Sequence, residues 1–450
     1  MKTRNMTAGT PWKLILAVAL PLMLGNVFQQ LYTVVDTAVV GNVLGVNALA
    51  ALGASDWFNW MFLSVIQGLT QGFAIPIAQE YGANNLPALR KNVATAIKLA
   101  AVLGIALCAV ALMSITPVLT LLKTPDSILP VSRSYLRILF AGTPVLMAYN
   151  LLAGVLRALG DGKSPLIAMI IASATNIALD ILFVAGFGWG VEGAAIATVI
   201  AQVTSCIYCL YRFRSIEFLR LERADFAAAR QMGVRHMKLG LPLAMQNIII
   251  CVGGMILQRV VNNMGVLFIA GFTATNKLYG VLEVAATSSG YAITTYVGQN
   301  LGAKKYARIR KGMRSAVFMN IVISAVIGAL MLIFGKLILG LFITGSPEEV
   351  SISLQYAYEF LATMSIGLPV LYVLYSYRNA LQGLGNTIMP MMSGFAEFIM
   401  RTASALLLPA LVGYWGIFFA EVLAWLGADV ILVSSYYRNI RSLPKCDEEP

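Results

Sequence analysis

The residues Leu14 to Val40, LILAVALPLMLGNVFQQLYTVVDTAVV, decide the fold class of this chain. The run exceeds the roughly 20 apolar residues that cross a bilayer as one helix, so we expect a membrane span. Gln29, Thr33 and Asp36 recur at helical spacing and therefore share one face of that helix. The stretch thus predicts an apolar helix with a single polar stripe that ends at an acid.

Two residues inside this run have consequences for structure and function. Pro21 removes one backbone hydrogen bond and crowds the turn before it, so it predicts a bend and is our candidate hinge. Asp36 is an acid among apolar residues; this costs about 2.5 kcal/mol or more in a membrane, and such acids usually face a bundle interior or a watery cavity. The alternative is an acid near the helix end that reaches the outer interface, although residues 37–40 continue the apolar run beyond it.

The composition places the chain among integral membrane proteins. Of its 450 residues, 59% are hydrophobic and 12% are charged, whereas soluble domains carry about a quarter charged residues. The basic residues before Leu14 superficially resemble a signal peptide. The apolar run after them is too long for one, so we interpret it as an uncleaved first span.

Twelve apolar segments are long enough to cross a membrane, which predicts an all-α integral membrane fold with twelve transmembrane helices. Their predicted bounds are 14–40, 48–78, 93–122, 131–156, 165–187, 191–213, 239–262, 267–298, 315–343, 355–377, 388–412 and 416–437. The longest polar connection lies in the middle of the chain and separates two sets of six spans. We therefore predict an N-terminal lobe at 1–213, a cytoplasmic linker at 214–238 and a C-terminal lobe at 239–450.

The basic residues indicate the orientation of the chain. Most of the 32 Lys and Arg residues fall in the two terminal segments, in the linker and in alternate loops, and we assign Arg378 to one of these loops. Cytoplasmic loops carry such an excess, so we expect both termini to lie in the cytoplasm. Basic groups that face anionic lipid headgroups account for the net charge of +12, so the chain needs no nucleic-acid partner.

The two halves of the chain repeat four short motifs in the same order. The offset between the copies drifts only from 220 to 225 residues, as a duplication with small insertions would produce. The pairs are Leu20-Pro21-Leu22 with Leu241-Pro242-Leu243, Gln79-x-x-Gly82-Ala83 with Gln299-x-x-Gly302-Ala303, Gly142-Thr143-Pro144 with Gly367-Leu368-Pro369, and Leu159-Gly160-Asp161 with Leu384-Gly385-Asn386. Six spans per half is an even number, so the halves share one orientation about an axis along the membrane normal.

These motifs carry a family resemblance over about residues 10 to 440. The run LPLMLGNVFQQLYTVVDTAVVGNVLGVNALAALG, the pair AQEYGA and VGQNLGAKK, and RALGDGKSP with LQGLGNTIMP resemble the multidrug and toxic compound extrusion (MATE) family, bacterial DinF-like type. The resemblance implies two pseudo-symmetric six-helix lobes in a secondary active efflux transporter. It also implies export of cationic drugs, driven by H+ or Na+, with no cofactor besides that coupling ion.

Polar residues of the fifth and sixth spans complete a candidate ion-coupling site. Asn176 and Asp180 lie on one face of the fifth span, and Asp180 lies in the same outer half of the membrane as Asp36. The resemblance implies that the coupling ion is bound by Asp36, Asn176, Asp180 and Thr198. These oxygen ligands suit Na+, while two neighbouring acids can equally take up or share a proton. The alternative role of Asn176 and Asp180 is a structural hydrogen bond between helices.

Substrate contacts follow in part from the resemblance, which matches Gln29, Tyr135 and Asn150 to polar cavity positions of the first lobe. Glu283, in the eighth span, is the candidate in the second half for neutralising the charge of a drug. Aromatic, methionine and acidic surfaces suit flat organic cations. We therefore expect a small cationic or amphipathic substrate.

The second half departs from the first at the ion-site positions. Leu257, Arg401 and Ala405 stand where the first half has its aspartate, its asparagine and its second aspartate. Glu397 and Arg401 are four residues apart on the eleventh span and predict a buried ion pair with a structural role. We therefore expect the second half to supply no ligand to the first-half ion site.

Other functional classes fit the sequence less well. The chain has no phosphate-binding glycine loop for ATP, and no nucleophile or structural metal set stands beside its acids, so we expect no enzyme. A channel is usually a symmetric oligomer of short chains, whereas this chain supplies its own two halves and is expected to be a monomer. A flippase for a lipid-linked oligosaccharide or another amphiphile is the alternative transporter, because such flippases share the fold. The expected location is the inner (cytoplasmic) membrane of a bacterium.

Overall fold

The computed structural model describes residues 4–122, 124–227, 230–343, 346–444 and residue 447. Lys2 and Lys445, which the charge pattern includes, lie outside these residues. The α-helices of the described chain are α1 (Pro11–Leu44), α2 (Val46–Gly82), α3 (Leu86–Leu121), α4 (Leu129–Ala141), α5 (Thr143–Ala158), α6 (Lys163–Asp180), α7 (Gly190–Arg214), α8 (Arg230–Val261), α9 (Val266–Gly302), α10 (Tyr306–Leu339), α11 (Pro347–Gly383), α12 (Ile388–Leu407), α13 (Pro409–Val412) and α14 (Trp415–Ser442). No β-strand occurs in this part of the chain.

The helices confirm an all-α membrane fold. Ten of the described helices are long and apolar enough to cross a membrane, and the bent pair α4 and α5 makes an eleventh. The helix α9 is as long as α2 but less apolar, because it carries Lys277, Glu283 and several amide and hydroxyl side chains. When α4 with α5 and α12 with α13 are each counted as one segment, the described helices form the twelve predicted segments.

The fourth predicted span, 131–156, is two helices rather than one. The helices α4 and α5 meet at Gly142, and their axes differ by 47°. Pro144, in the first turn of α5, has no backbone N–H to continue the hydrogen-bond ladder, which explains the break. The eleventh span also breaks at a proline, since α13 begins at Pro409.

The fifth predicted span changes its helix type along its length. The α-helical part ends at Asp180, and Ile181–Gly186 continue as a π-helix. Segments of π-helix are rare and occur frequently at functional sites. The candidate ion ligand Asp180 therefore occupies the junction of two helix types.

The chain forms two compact units. Unit 1 comprises Met1–Asn5 and Leu20–Ala244, and unit 2 comprises Met6–Ala19 and Met245–Pro450. Most of the predicted linker, 214–238, is ordered: it contains two short 3-10 helices, and α8 begins at Arg230 rather than at the predicted residue 239. Pro21 and Pro242 both lie inside unbroken helices and within three residues of a change of unit. The bend at Pro21 and the predicted lobe boundaries stay predictions.

Unusual backbone conformations recur at the offsets of the sequence repeat. Left-handed φ angles occur at Gly45 and Gly265, at Asn84 and Lys304, and at Gly160 and Gly385, with the members of each pair 220 or 225 residues apart. Asn84 and Lys304 follow the repeated Gln-x-x-Gly-Ala motifs, and their φ angles are 56° and 57°. A non-glycine residue adopts such angles only rarely, so a matching pair is strong support for internal duplication.

The repeated glycines Gly142 and Gly367 serve the same packing purpose. A Cβ atom on Gly142 would lie 2.9 Å from a methyl group of Val199 on α7, and one on Gly367 would lie 2.6 Å from a methyl group of Val422 on α14. Both distances are too short for carbon atoms in contact. Each glycine therefore permits the close approach of two helices, as small residues commonly do between membrane helices.

Aromatic side chains fill the interior of each unit. In unit 1, Phe58 and Phe62 of α2 pack against Phe140 of α4, with ring centroids 5.1 and 5.0 Å apart. In unit 2, Phe360 of α11 stacks on Phe418 of α14 at 5.1 Å. Such contacts contribute about 0.5–1.5 kcal/mol each beyond the burial of their surface. They join helices that are distant in sequence.

Unit 2 also contains a buried ion network, made of Arg378, Glu397, Arg401 and Glu421. Arg378 donates a hydrogen bond to Glu397, and Arg401 Nη2 lies 2.8 Å from Glu421 Oε2. The predicted pair Glu397–Arg401 is the weakest link, at 4.0 Å. Arg378 is buried within α11 rather than exposed in an inner loop. The sequence analysis placed Arg378 in a loop and missed its bond to Glu397, because a contact between two helices does not show in the residue spacing along one helix.

We predict that Glu397→Gln destabilises the protein, because it removes the carboxylate to which the buried guanidinium group of Arg378 is hydrogen-bonded. Removal of one partner from a buried ion pair costs about 3–5 kcal/mol. Thermal unfolding of the purified protein in detergent should therefore show a clear loss of stability. The matched control is Glu348→Gln, an exposed acid in the first turn of α11, which should change stability by less than about 0.5 kcal/mol. Equal melting curves for the two variants would contradict a stabilising role of the network.

Candidate functional site

Two carboxyl groups from different helices meet inside unit 1. Asp36 lies on α1 and Asp180 is the last residue of α6. The side chains are 9% and 0% exposed, and their carboxyl groups are close enough to interact directly. Within the described residues, the charged groups that act most strongly on either acid are other acids. The structure thus brings together the two acids that the sequence places at similar depth.

Several oxygen atoms at this place lack a hydrogen bond. Among the described residues, Asp36 Oδ1, both carboxyl oxygens of Asp180 and Asn176 Oδ1 have no donor. Asn176 Nδ2 faces Thr198 Oγ1 at 3.5 Å, which leaves the carbonyl side of the amide free of that contact. Buried polar atoms are normally paired, so these orphaned oxygens are compatible with a bound proton or hard cation.

The helices α1 and α6 approach each other closely at residues that precede the two acids in sequence. Ser173 Oγ donates to the Met169 carbonyl at 2.8 Å and lies 3.5 Å from the Phe28 carbonyl on α1. A Cβ atom on Gly25 would lie 2.8 Å from Met169 Sδ and 3.5 Å from Leu166 Cα. Gly25 therefore permits α6 to approach α1 closely, and Ser173 of α6 contacts the backbone of α1. This contact positions Asp36 against Asp180.

A third acid, Asp56 on α2, was missed by the sequence analysis. Its charge acts on Asp36, and its side chain is exposed. The residue lies ten positions into α2 and Asp36 lies eight positions from the end of α1, so the two occupy similar depths. The sequence contains the signal that identifies Asp56, namely an acid within the apolar run of the second predicted span. Asp56 adds negative charge to the same region of unit 1.

The predicted substrate residues occupy different places. Gln29 is half-buried on α1, Tyr135 is buried in α4, and Asn150 Nδ2 donates to the Leu146 carbonyl at 2.9 Å within α5. These three belong to unit 1. Glu283 belongs to unit 2, where the Tyr375 hydroxyl donates to its carboxyl group. The sequence showed no partner for Glu283, because Tyr375 lies on another helix.

The corresponding region of unit 2 has no carboxylate pair at the repeat-related positions. Leu257 and Ala405 are buried and apolar, and Arg401 forms an ion pair with Glu421. Among the described residues, no group of three or more His, Cys, Asp or Glu side chains forms a potential metal site. The two halves therefore share a backbone plan but not the chemistry of the Asp36–Asp180 site.

Comparisons with known proteins agree with this architecture. The model of the MatE family matches residues 21–182 and 242–407. The chain is 30% identical over 360 residues to the probable multidrug resistance protein YpnP of Bacillus subtilis, covering 79% of this chain and 80% of the relative. It is 26% identical to the DNA damage-inducible protein F of Escherichia coli, covering 72% and 71% of the two chains.

A solved structure gives the same result for the fold. A multidrug resistance MATE family transporter of the MOP superfamily, in an outward-facing conformation, superposes with a TM-score of 0.92 over 99% of both chains at 22% identity. The family model and the multidrug resistance relatives make membrane transport, not enzymatic catalysis, the class of activity. The family match covers most of the chain and both of its halves, so this protein belongs to the MatE family of multidrug efflux transporters.

Proposed function

We propose that the protein is an antiporter that exports organic cations in exchange for H+ or Na+. The coupling ion binds at Asp36 and Asp180, with Asn176 and Thr198 as supporting ligands. The observation that carries this proposal is the pair of buried carboxyl groups, which form no ion pair with a basic residue of the described chain. The multidrug resistance named for the relatives supports the class of substrate.

The electrostatics explain why the site would hold an ion. Two ionised carboxylates in a low-dielectric interior repel one another, and each also loses its hydration. One bound proton or Na+ removes most of this cost. The orphaned oxygens of Asp36, Asp180 and Asn176 provide ligands for either ion, so the argument holds for both. Transport measurements with separate gradients distinguish them.

Exchange follows if drug and ion compete for the same negative charge. A cationic drug near Asp36 would stabilise the carboxylates without the ion, and arrival of the ion would favour release of the drug. By thermodynamic linkage, the drug and the ion must each lower the binding affinity of the other by the same factor. Asp56, exposed and close to Asp36, extends the negative region that an approaching cation meets.

The remaining assignments complete the proposal. Gln29, Tyr135 and Asn150 are the substrate contacts in unit 1, and Glu283 is the one in unit 2. Pro21 acts as the hinge, and its place beside a change of unit supports this role. The negative charge of Asp36, Asp56 and Asp180 opposes binding of a pyrophosphate headgroup, so an oligosaccharide flippase fits less well.

The proposed setting is the inner membrane of a bacterium, where the protein acts as a monomer. The termini and the segment 214–238 face the cytoplasm, as the distribution of basic residues indicates. This orientation places the outer ends of α1 and α6, and hence Asp36 and Asp180, nearer the side from which the coupling ion enters.

We predict that Asp36→Asn and Asp180→Asn each abolish gradient-driven efflux of a cationic fluorescent dye, because an amide neither takes up a proton nor carries the negative charge that binds Na+. The assay uses protein reconstituted in vesicles, with a pH gradient or a Na+ gradient applied separately. The protein should remain folded, because the amide is isosteric with the carboxylic acid. Asp126→Asn, which removes an exposed acid, is the matched control and should pump normally. The assignment fails if both variants pump like the wild type while Glu283→Gln or Glu397→Gln loses ion dependence.

The orientation gives a second prediction, tested by cysteine labelling in intact cells. In a variant whose five cysteines are replaced by alanine, Ser215→Cys should resist a membrane-impermeant thiol reagent added from outside. Asp126→Cys, in the exposed connection between α3 and α4, should react with it. After the cells are broken, both should react. Labelling of Ser215→Cys in intact cells would contradict the proposed topology.

A further inference from the structure

Unit 2 contains a buried acid that neither the ion network nor the candidate ion site includes. Asp429 lies 14 residues from the start of α14, about 21 Å along the helix, and 13 residues from its end. Its side chain is 9% exposed. The residue thus lies near the middle of a helix that spans the membrane, where a bare charge is costly.

Asp429 lies beside the ion network. Arg378 of α11 and Glu397 of α12 are close enough to act on its charge. Arg378 is already bound to Glu397 and lies 3.3 Å from Ser393 Oγ, while its Nε atom has no acceptor in the described chain. The guanidinium group of Arg378 therefore lies near Asp429, but it is hydrogen-bonded to Glu397.

The charges of this cluster do not balance. Glu397, Glu421 and Asp429 are three acids, and only the two guanidinium groups of the network oppose them. Glu283, near the network, adds a fourth carboxyl group without adding a base. Full ionisation would leave a net negative charge in the interior of unit 2. At least one acid of the cluster must therefore be neutral, or a cation must be bound.

The hydrogen bonds identify which acid this is. Both oxygens of Glu397 face arginines, Glu421 pairs with Arg401 at 2.8 Å, and Glu283 accepts the hydroxyl of Tyr375. Asp429 Oδ1 alone among the carboxyl oxygens of this cluster is buried without a hydrogen bond in the described residues. A protonated carboxyl tolerates such surroundings far better than a carboxylate.

We propose that unit 2 binds a proton of its own, on Asp429, separate from the Asp36–Asp180 site of unit 1. The bound species is a proton rather than a metal ion, because the nearby guanidinium group of Arg378 repels a metal cation. This inference stands on the charges and contacts of unit 2. It does not depend on the proposed site in unit 1.

The helices packed against α14 determine which titratable groups surround Asp429. The helix α14 packs against α11, α12 and the short α13. Arg378 and Tyr377 face Asp429 from α11, and Glu397 faces it from α12, while α13 carries no titratable residue. The hydroxyl groups of Tyr377 and Tyr437 lie 3.4 Å apart, and Tyr437 is exposed.

Infrared difference spectroscopy of the purified full-length protein tests the proposal, because a protonated carboxyl has a C=O stretching band that a carboxylate lacks. The starting protein is the double variant Asp36→Asn with Asp180→Asn, which removes both candidate ion acids of unit 1. At neutral pH it should retain a band from a buried carboxylic acid. Adding Asp429→Asn should remove this band, and adding Asp126→Asn should leave it unchanged. Adding Asp429→Glu should keep a band at a shifted frequency.

The outcomes separate this proposal from that for unit 1. Absence of the band in the double variant, or its persistence after Asp429→Asn, would overturn a proton on Asp429. Normal pumping by the double variant would refute the unit 1 site but would leave the spectroscopic result intact. If Asp429→Asn does not fold, the shift in Asp429→Glu decides: a shifted band supports the proposal, and an unshifted one contradicts it.

Discussion

An acid inside an apolar helix bundle must have its charge compensated, and this electrostatic constraint governs the interior of the protein. In unit 1, Asp36 faces Asp180, and the charged groups of the described chain that act most strongly on these two residues are also acids. The close approach of α1 and α6 at Gly25 and Ser173 holds the two acids together. In the proposed function, the compensating ion comes from solution, so the packing of these two helices would connect to ion-driven transport.

Unit 2 meets the same constraint differently. It places arginines beside its acids, so that Arg378 bonds Glu397 and Arg401 bonds Glu421. These pairs are internal and need no ion from solution. The sequence duplication therefore preserved the turns and close helix contacts, while the buried polar chemistry of the halves diverged. The acids Asp36 and Asp180 have each other as neighbours, whereas Glu397 and Glu421 have arginines as partners, and this difference underlies the distinct roles proposed for the two units.

The fold was largely predictable because apolar length and repeated turn motifs are local properties of the sequence. Breaks within helices were not predictable, since they depend on packing. The helix breaks at Gly142 and Pro144, whereas the repeated Gly367 and Pro369 lie within the continuous α11. The pairing of Asp36 with Asp180 followed from depth and polar spacing. The bond from Arg378 to Glu397 was missed, because contacts between helices leave no periodic signal along either one.

The most direct test of the central claim is the affinity of the purified protein for a monovalent cationic dye, measured across pH and with and without Na+. If dye and coupling ion compete for the carboxyl pair, linkage requires the dissociation constant to rise as the ion concentration rises. Displacement of one proton by one dye predicts a limiting change of about tenfold per pH unit, with a corresponding Na+ dependence if Na+ is the ion. A dissociation constant that responds to neither ion would contradict the account.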